Sequence, residues 1–267
     1  MSSEKQPVFV LVPGASQNPA QYGYLLHLIQ SAGYGASTGL LPSIGAREQV
    51  TAADDAEYIR ERLILPVLDV GNHDVILISH SYSGMPASAA ARGLGPADRA
   101  AEGKTTSVLG QIFIATLLPR GGDNLSVIDG FGGNLPPHMY KDNEKVTSPT
   151  PPQEKENLLK CDEPKPPLFY DVEPLLAEGA TQGSLSQGLT SFSSPCPEAS
   201  WYTDAFKNRV AYIYTVNDHA VPYEAQKMMV GATGVEFITR EIASGHSAQL
   251  SKPEELTKII LELAAQW

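Results

Sequence analysis

The sequence predicts an α/β domain whose mostly parallel sheet is covered by helices on both faces. Val8–Val12, Val75–Ile78, Val108–Thr116 and Arg209–Val216 are apolar runs rich in β-branched side chains, as expected of strands buried on two sides. Helical segments alternate with these strands, which is the pattern of parallel βαβ units. Polar turns also follow several of the strands directly, at the end where open α/β sheets collect reactive groups.

In chain order, Val8–Val12 ends in Pro13–Gly14–Ala15–Ser16–Gln17–Asn18–Pro19, where Asn18 as a cap and Pro19 as the first helical residue signal a helix start. That helix carries Tyr22, Leu25, Leu26, Leu28 and Ile29 and stops at Gly33; a strand is expected over Tyr34–Leu41. Thr51–Asp54 opens a second helix bearing Tyr58, Ile59, Leu63 and Leu68, which Pro66 is expected to kink or end. Gly93–Lys104 reads as a polar excursion. Its Asp98–Thr105 stretch is no phosphate loop, because it lacks the first glycine and precedes a strand rather than following one.

From Leu117 to about Ser200 the alternation breaks, with Pro136–Pro137, Pro149–Pro152 and Pro164–Pro167 among charged residues. Weak helices are expected near Val172–Gly179 and Ser184–Leu189. So long an irregular stretch between two sheet strands reads as an inserted cap. The sixty-odd residues after it resume the pattern: Arg209–Val216, a helix near Tyr223–Val230, a half-exposed strand over Val235–Ile242, and a last helix expected to be capped by Ser251 and Glu254. One domain over 1–267 follows, with core 1–116 and 206–267 and a cap over about 117–205. The chain's 267 residues are enough for such a core.

Ser79–His80–Ser81–Tyr82–Ser83 joins an apolar strand to the small-residue run after Gly84. Small residues two places either side of Ser81 permit a strained turn that lifts its hydroxyl above the sheet edge, over a helix N-terminus. Acyl transfer by serine needs a base and an acid to orient it. Asp218 and His246 each follow a strand, and the order Ser81, Asp218, His246 suits this architecture. Each also has a plainer reading: Asp218 as a turn or helix cap, His246 as a surface histidine, the pentapeptide as a serine-rich loop. His219 is the rival base, and His80 reads as a packing residue. The backbone N–H groups of Ala15 and Tyr82 are the candidates for holding an oxyanion.

Composition narrows the partners. Thirty acidic and 19 basic residues give a net charge of −11, with no basic cluster, so neither nucleic acid nor an anionic membrane surface is expected. Two cysteines, Cys161 and Cys196, are too few for a disulfide framework. The polar N-terminus lacks a signal-peptide pattern, so a cytoplasmic protein is expected. His27, His73 and His138 lack ligand spacing, and no metal or other cofactor is expected. The expected partner is a small-molecule substrate, with a homodimer left open.

The chain resembles the α/β-hydrolase superfamily, and within it the branch of plant methylesterases, the salicylate-binding esterase and the hydroxynitrile lyases. The resemblance rests on Phe9–Ala15, the Ser81 elbow, Ile114–Pro119, Asn217–Asp218 with Ala220–Pro222, and Gly245–Ser247 with Leu250–Leu256. It implies the α/β-hydrolase fold, Ser81, Asp218 and His246 as a triad, and the insertion as a lid over substrate. The branch's lyases carry threonine where this chain has Gly14 and lysine where it has Ser247, which favours an esterase; Pro13 replaces a usual histidine. The expected reaction is hydrolysis of a small hydrophobic or aromatic ester through an acyl-enzyme on Ser81. The alternative is lyase or cyclase chemistry in which the same triad transfers protons. A non-catalytic ligand binder is disfavoured by the complete triad. Tyr82, Leu117, Phe131, Tyr140, Phe169, Phe192 and Trp201 are candidate walls of the substrate pocket.

Overall fold

The computed structural model describes residues 5–46, 49–141, 158–161 and 167–267, without the side chains of Lys160 and Cys161. Val8–Val12 (β1), Gly35–Thr38 (β2), Val75–His80 (β3) and Val108–Ile114 (β4) are strands of the main sheet. Two small-sheet strands, Met139–Lys141 (β5) and Leu158–Cys161 (β6), come next in the chain, then Gln187–Gly188 (β7). Val210–Thr215 (β8) and Ile238–Ile242 (β9) complete the main sheet. Its order is β2-β1-β3-β4-β8-β9, and every neighbouring pair is parallel.

The apolar runs are continuous because alternate residues serve opposite faces. Val10, Val12, Leu77 and Phe113 enter one core, with Ile59, Leu63 and Met85 from helices. Phe9, Leu11, Ile76, Ile78 and Ile112 enter the other, under Leu25, Ile29, Leu256, Ile260 and Leu263. Gly23–Ser31 (α1) covers the second face, together with the last helix, Pro253–Ala264; Ala52–Tyr58 (α2) and Gly84–Ala90 (α3) cover the first. Among the described residues no helix is long and apolar enough to cross a membrane.

Several local expectations are corrected. Pro66 does not end its helix: the chain continues to Val70 in wider turns, with Leu65 N–H on Arg60 C=O and Gly71 N–H on Pro66 C=O. A five-residue bond step makes room for a ring that lacks an N–H. The Gly93–Lys104 excursion contains a helix, Pro96–Ala101, whose buried Arg99 pairs with Asp69 at 2.6 Å. The last helix is capped at Lys252, not by Ser251 and Glu254, because Pro253 takes its first position. Ser251 instead closes the short helix before it, and Glu254 accepts the Tyr24 hydroxyl. The helix expected over Ser184–Leu189 is strand β7 followed by a helical turn at Thr190–Ser193; its neighbour runs Pro174–Gln182.

The described residues between β4 and β8 include the antiparallel β5-β6-β7 sheet and short helices. Pro149–Pro152 and most of Pro164–Pro167 lie outside the described residues, as does the Cys161 side chain. Cys196 is a buried free thiol whose pKa burial pushes up to about 11.

Leu77, 1% exposed at the centre of the sheet, provides a check on this packing. Leu77→Ala is expected to cost about 2–5 kcal/mol, read as a fall in urea midpoint at constant slope. A loss well below that range contradicts a close-packed sheet centre.

Candidate active site

Ser81 lies where β3 gives way to α3, with φ of 57°, a left-handed backbone that non-glycine residues adopt only under constraint. Small residues make the turn, and one of them bonds it in place. The Ser83 hydroxyl donates to Val12 C=O at 2.8 Å and accepts from His80 N–H at 3.0 Å. A Cβ on Gly84 would come within 2.5 Å of Thr116 Cβ and 2.8 Å of Leu117 C=O, so only glycine lets the helix start so close to the next strand's end.

His246 Nε2 lies 2.9 Å from Ser81 Oγ, and His246 Nδ1 lies 2.8 Å from Asp218 Oδ2. Asp218 follows β8 and closes its own turn: Oδ1 accepts from the N–H groups of Ala220 and Val221, and Oδ2 accepts the Thr215 hydroxyl at 2.8 Å. Burial alone would raise the Asp218 carboxyl; the facing His246 ring and these hydrogen bonds outweigh it and hold the group below the usual carboxylate range. An ionised Asp218 only accepts, so Nδ1 carries the ring proton and Nε2 presents its lone pair to Ser81. The rival His219 is exposed and stacks on Tyr170, with centroids 3.9 Å apart.

His80 does more than pack. Its Nε2 lies 2.9 Å from His246 C=O and its Nδ1 2.7 Å from the Tyr22 hydroxyl. A carbonyl can only accept, so Nε2 carries the proton and Nδ1 is left as an acceptor facing the Tyr22 hydroxyl, which also donates to Gln17 Oε1. The Tyr22 hydroxyl in turn accepts Gly14 N–H at 3.0 Å. Burial, reinforced by the neighbouring His246, pushes His80 down to about 3 and keeps it neutral. This cluster ties the loop after β1 to the His246 loop across the elbow. A Cβ on Gly14 would meet Gln17 Oε1 and Ser81 Cβ at 3.0 Å, so glycine keeps the space beside Ser81 open.

Of the expected wall residues, Leu117 donates its N–H to Ser81 C=O at 3.3 Å, and the buried Tyr82 and Phe192 rings stack at 5.1 Å. Tyr140 is half-buried on β5 and Phe131 is 40% exposed. Phe169 packs with Leu168, Val172 and Ala220 beside the acid loop. Trp201 is a core residue: its N–H meets Ser88 Oγ two turns down the helix, and its ring faces Phe237. Asp171 escaped the sequence reading; its Oδ2 accepts Gly245 N–H at 2.6 Å, bracing the His246 loop. A cleft lined by Lys5, Asn72, Thr105 and Trp267 holds none of these groups.

Residues 9–259 match the family model described as the alpha/beta hydrolase family. Alpha/beta hydrolase nvfD of Aspergillus novofumigatus is 26% identical over 263 residues, with 98% of each chain covered. Among solved structures, polyneuridine aldehyde esterase superposes with a TM-score of 0.69 at 20% identity, over 97% of this chain and 100% of that one. The methylesterase MES16 from Arabidopsis gives 0.67 at 16% identity, over 98% and 100%.

The neutral, buried His80 has a measurable consequence. Its folded pKa lies below the unfolded value of about 6.5, so the unfolded chain takes up the proton first. Stability is therefore expected to fall as pH drops from about 6.5 toward 3, with a slope of at most about 1.4 kcal/mol per unit from this group. Urea midpoints across that range should decline less steeply in His80→Gln; equal slopes would contradict a buried neutral imidazole.

Proposed function

The chain belongs to the alpha/beta hydrolase family, and we propose that it is a serine carboxylesterase acting on a small hydrophobic or aromatic ester. The observation that carries this reading is the continuous hydrogen-bonded path Asp218–His246–Ser81, at 2.8 and 2.9 Å, centred on a left-handed serine. Esterases recur among the structures that share its fold.

In the proposed cycle Ser81 Oγ attacks the ester carbonyl carbon while its proton passes to His246 Nε2. The charge that develops on the carbonyl oxygen meets the N–H groups of Ala15 and Tyr82. Their hydrogen bonds among the described residues include no protein acceptor. The C–O bond of the leaving alcohol breaks as His246 returns the proton to it, leaving the acyl group on Ser81. His246 then removes a proton from water, the hydroxide attacks the acyl carbon, and the acid departs as Ser81 is reprotonated. Asp218 fixes the ring tautomer and stabilises the imidazolium in both halves. The insertion serves as a cap, and the half-buried Leu117 supplies an apolar wall for the acyl or alcohol group, backed by the buried, stacked rings of Tyr82 and Phe192.

A panel of p-nitrophenyl esters with a fluorophosphonate label tests the reading. The wild type is expected to hydrolyse short or aromatic esters and to take the label on Ser81. Ser81→Ala should abolish both, and Asp218→Asn should lower kcat by roughly 10³–10⁴-fold. Hydrolysis that survives in Ser81→Ala would sink the proposal. A labelled wild type that hydrolyses none of the esters would favour the proton-transfer alternative.

A further inference from the structure

We propose that Asp55 and Gln187 are positioning residues: one buried network anchors both backbone N–H groups assigned above to the oxyanion, an inference that rests on that esterase reading. The network begins at Asp55 on α2. Its Oδ1 accepts Ser43 N–H at 3.0 Å, and its Oδ2 accepts the Ser43 hydroxyl at 2.5 Å and the Tyr82 hydroxyl at 2.8 Å. The Ser43 hydroxyl accepts in turn from Gln187 Nε2 at 2.7 Å, and the same amide donates to Ser191 Oγ at 2.8 Å. The other end of the Gln187 amide, Oε1, accepts Ser16 N–H at 3.2 Å.

The donor directions close without conflict. Ser16 N–H requires an acceptor, which fixes Oε1 there and leaves Nε2 for the two serines; the Ser191 hydroxyl passes on to Gly188 C=O and the Ser43 hydroxyl to Asp55. Asp55, Ser43, Gln187 and Ser191 are all fully buried. The described partners of the Asp55 carboxylate are neutral donors rather than a cation. A carboxylate is costly to bury without a countercharge; what it supplies here is acceptors for three converging donors, one of them Tyr82.

Both ends of the network reach the elements that flank the reacting oxygen. Tyr82 follows the nucleophile directly, and its ring is held between Asp55 and Phe192. Ser16 follows Ala15 and has φ of 63°; its N–H is held by Gln187 and its C=O by Leu185 N–H at 2.9 Å. On the other side of Ala15, Gly14 N–H is held by Tyr22. The Ala15 peptide is therefore pinned at both neighbours, with its own N–H left for substrate. Displacing a preorganised donor weakens transition-state stabilisation more than substrate binding.

The test compares the wild type with Asp55→Asn, Gln187→Leu and Tyr82→Phe on p-nitrophenyl acetate across pH. Each variant is expected to lose at least about tenfold in kcat while KM stays within about twofold and the kinetic pKa of kcat/KM stays unchanged, because the base is untouched. Asp55→Asn combined with Tyr82→Phe should lose less than the product of the two single losses, since both act on the Asp55–Tyr82 bond. A rise in KM at constant kcat, a shifted kinetic pKa, or kcat within twofold in Tyr82→Phe and Gln187→Leu would overturn the proposal. Those two milder variants decide the matter if Asp55→Asn loses its cooperative melt. A wild type without esterase activity or fluorophosphonate labelling overturns the esterase reading itself; an active wild type with unaffected variants overturns only this one.

Discussion

The left-handed backbone at Ser81 is the constraint on which the rest of the site depends. Such a conformation costs on the order of 1–3 kcal/mol and persists only where its surroundings leave no alternative. Here the alternatives are closed from three directions. Ser83 bonds back to β1 and to the end of β3, Gly84 lies against Thr116, and Leu117 N–H holds Ser81 C=O. Serine at position 83, where glycine is more usual, contributes hydrogen bonds that glycine could not make. With the turn held, Ser81 Oγ falls within reach of an imidazole 165 residues away.

Two buried titratable groups near that oxygen are driven to opposite charge states by their surroundings. Asp218 stays ionised because donors and the His246 ring outweigh its burial; His80 stays neutral because burial and its histidine neighbour leave it no stable cation. The division has a chemical consequence. A charged His80 would repel an imidazolium on His246, whereas neutral His80 donates to the His246 carbonyl and steadies the loop.

The four central strands of the sheet were legible because they are buried on both faces, and an unbroken apolar run leaves few other readings. The three candidate site residues were legible because each lies in the turn after a sheet strand, in the order Ser81, Asp218, His246. What the sequence hid is of a different kind. Asp55 sits in the stripe Ala52, Asp55, Ala56, Ile59 on the buried face of its helix, and an acid in an apolar stripe signals a buried partner. Its partners Ser43 and Tyr82, and Gln187 behind Ser43, are scattered along the chain, and no spacing rule joins them. Pro66 misled for a related reason: local chemistry says stop, but Ile59, Leu63, Ile64 and Leu68 bury the helix firmly enough to carry it through in widened turns. The cap at Lys252 shows the reverse, a local proline rule overriding a plausible side-chain cap.

The described chain between β4 and β8 touches the loops that carry Ala15, Asp218 and His246. Leu185 and Gln187 hold Ser16 beside the nucleophile. The Tyr170 hydroxyl meets Asn217 C=O while its ring covers His219, next to the acid. Asp171 holds Gly245 N–H, next to the base. A lid that only excluded water could be hinged away and leave the groups beneath it in place. Here the contacts run through backbone N–H and C=O groups of the loops themselves, so moving the insertion would release those loops as well.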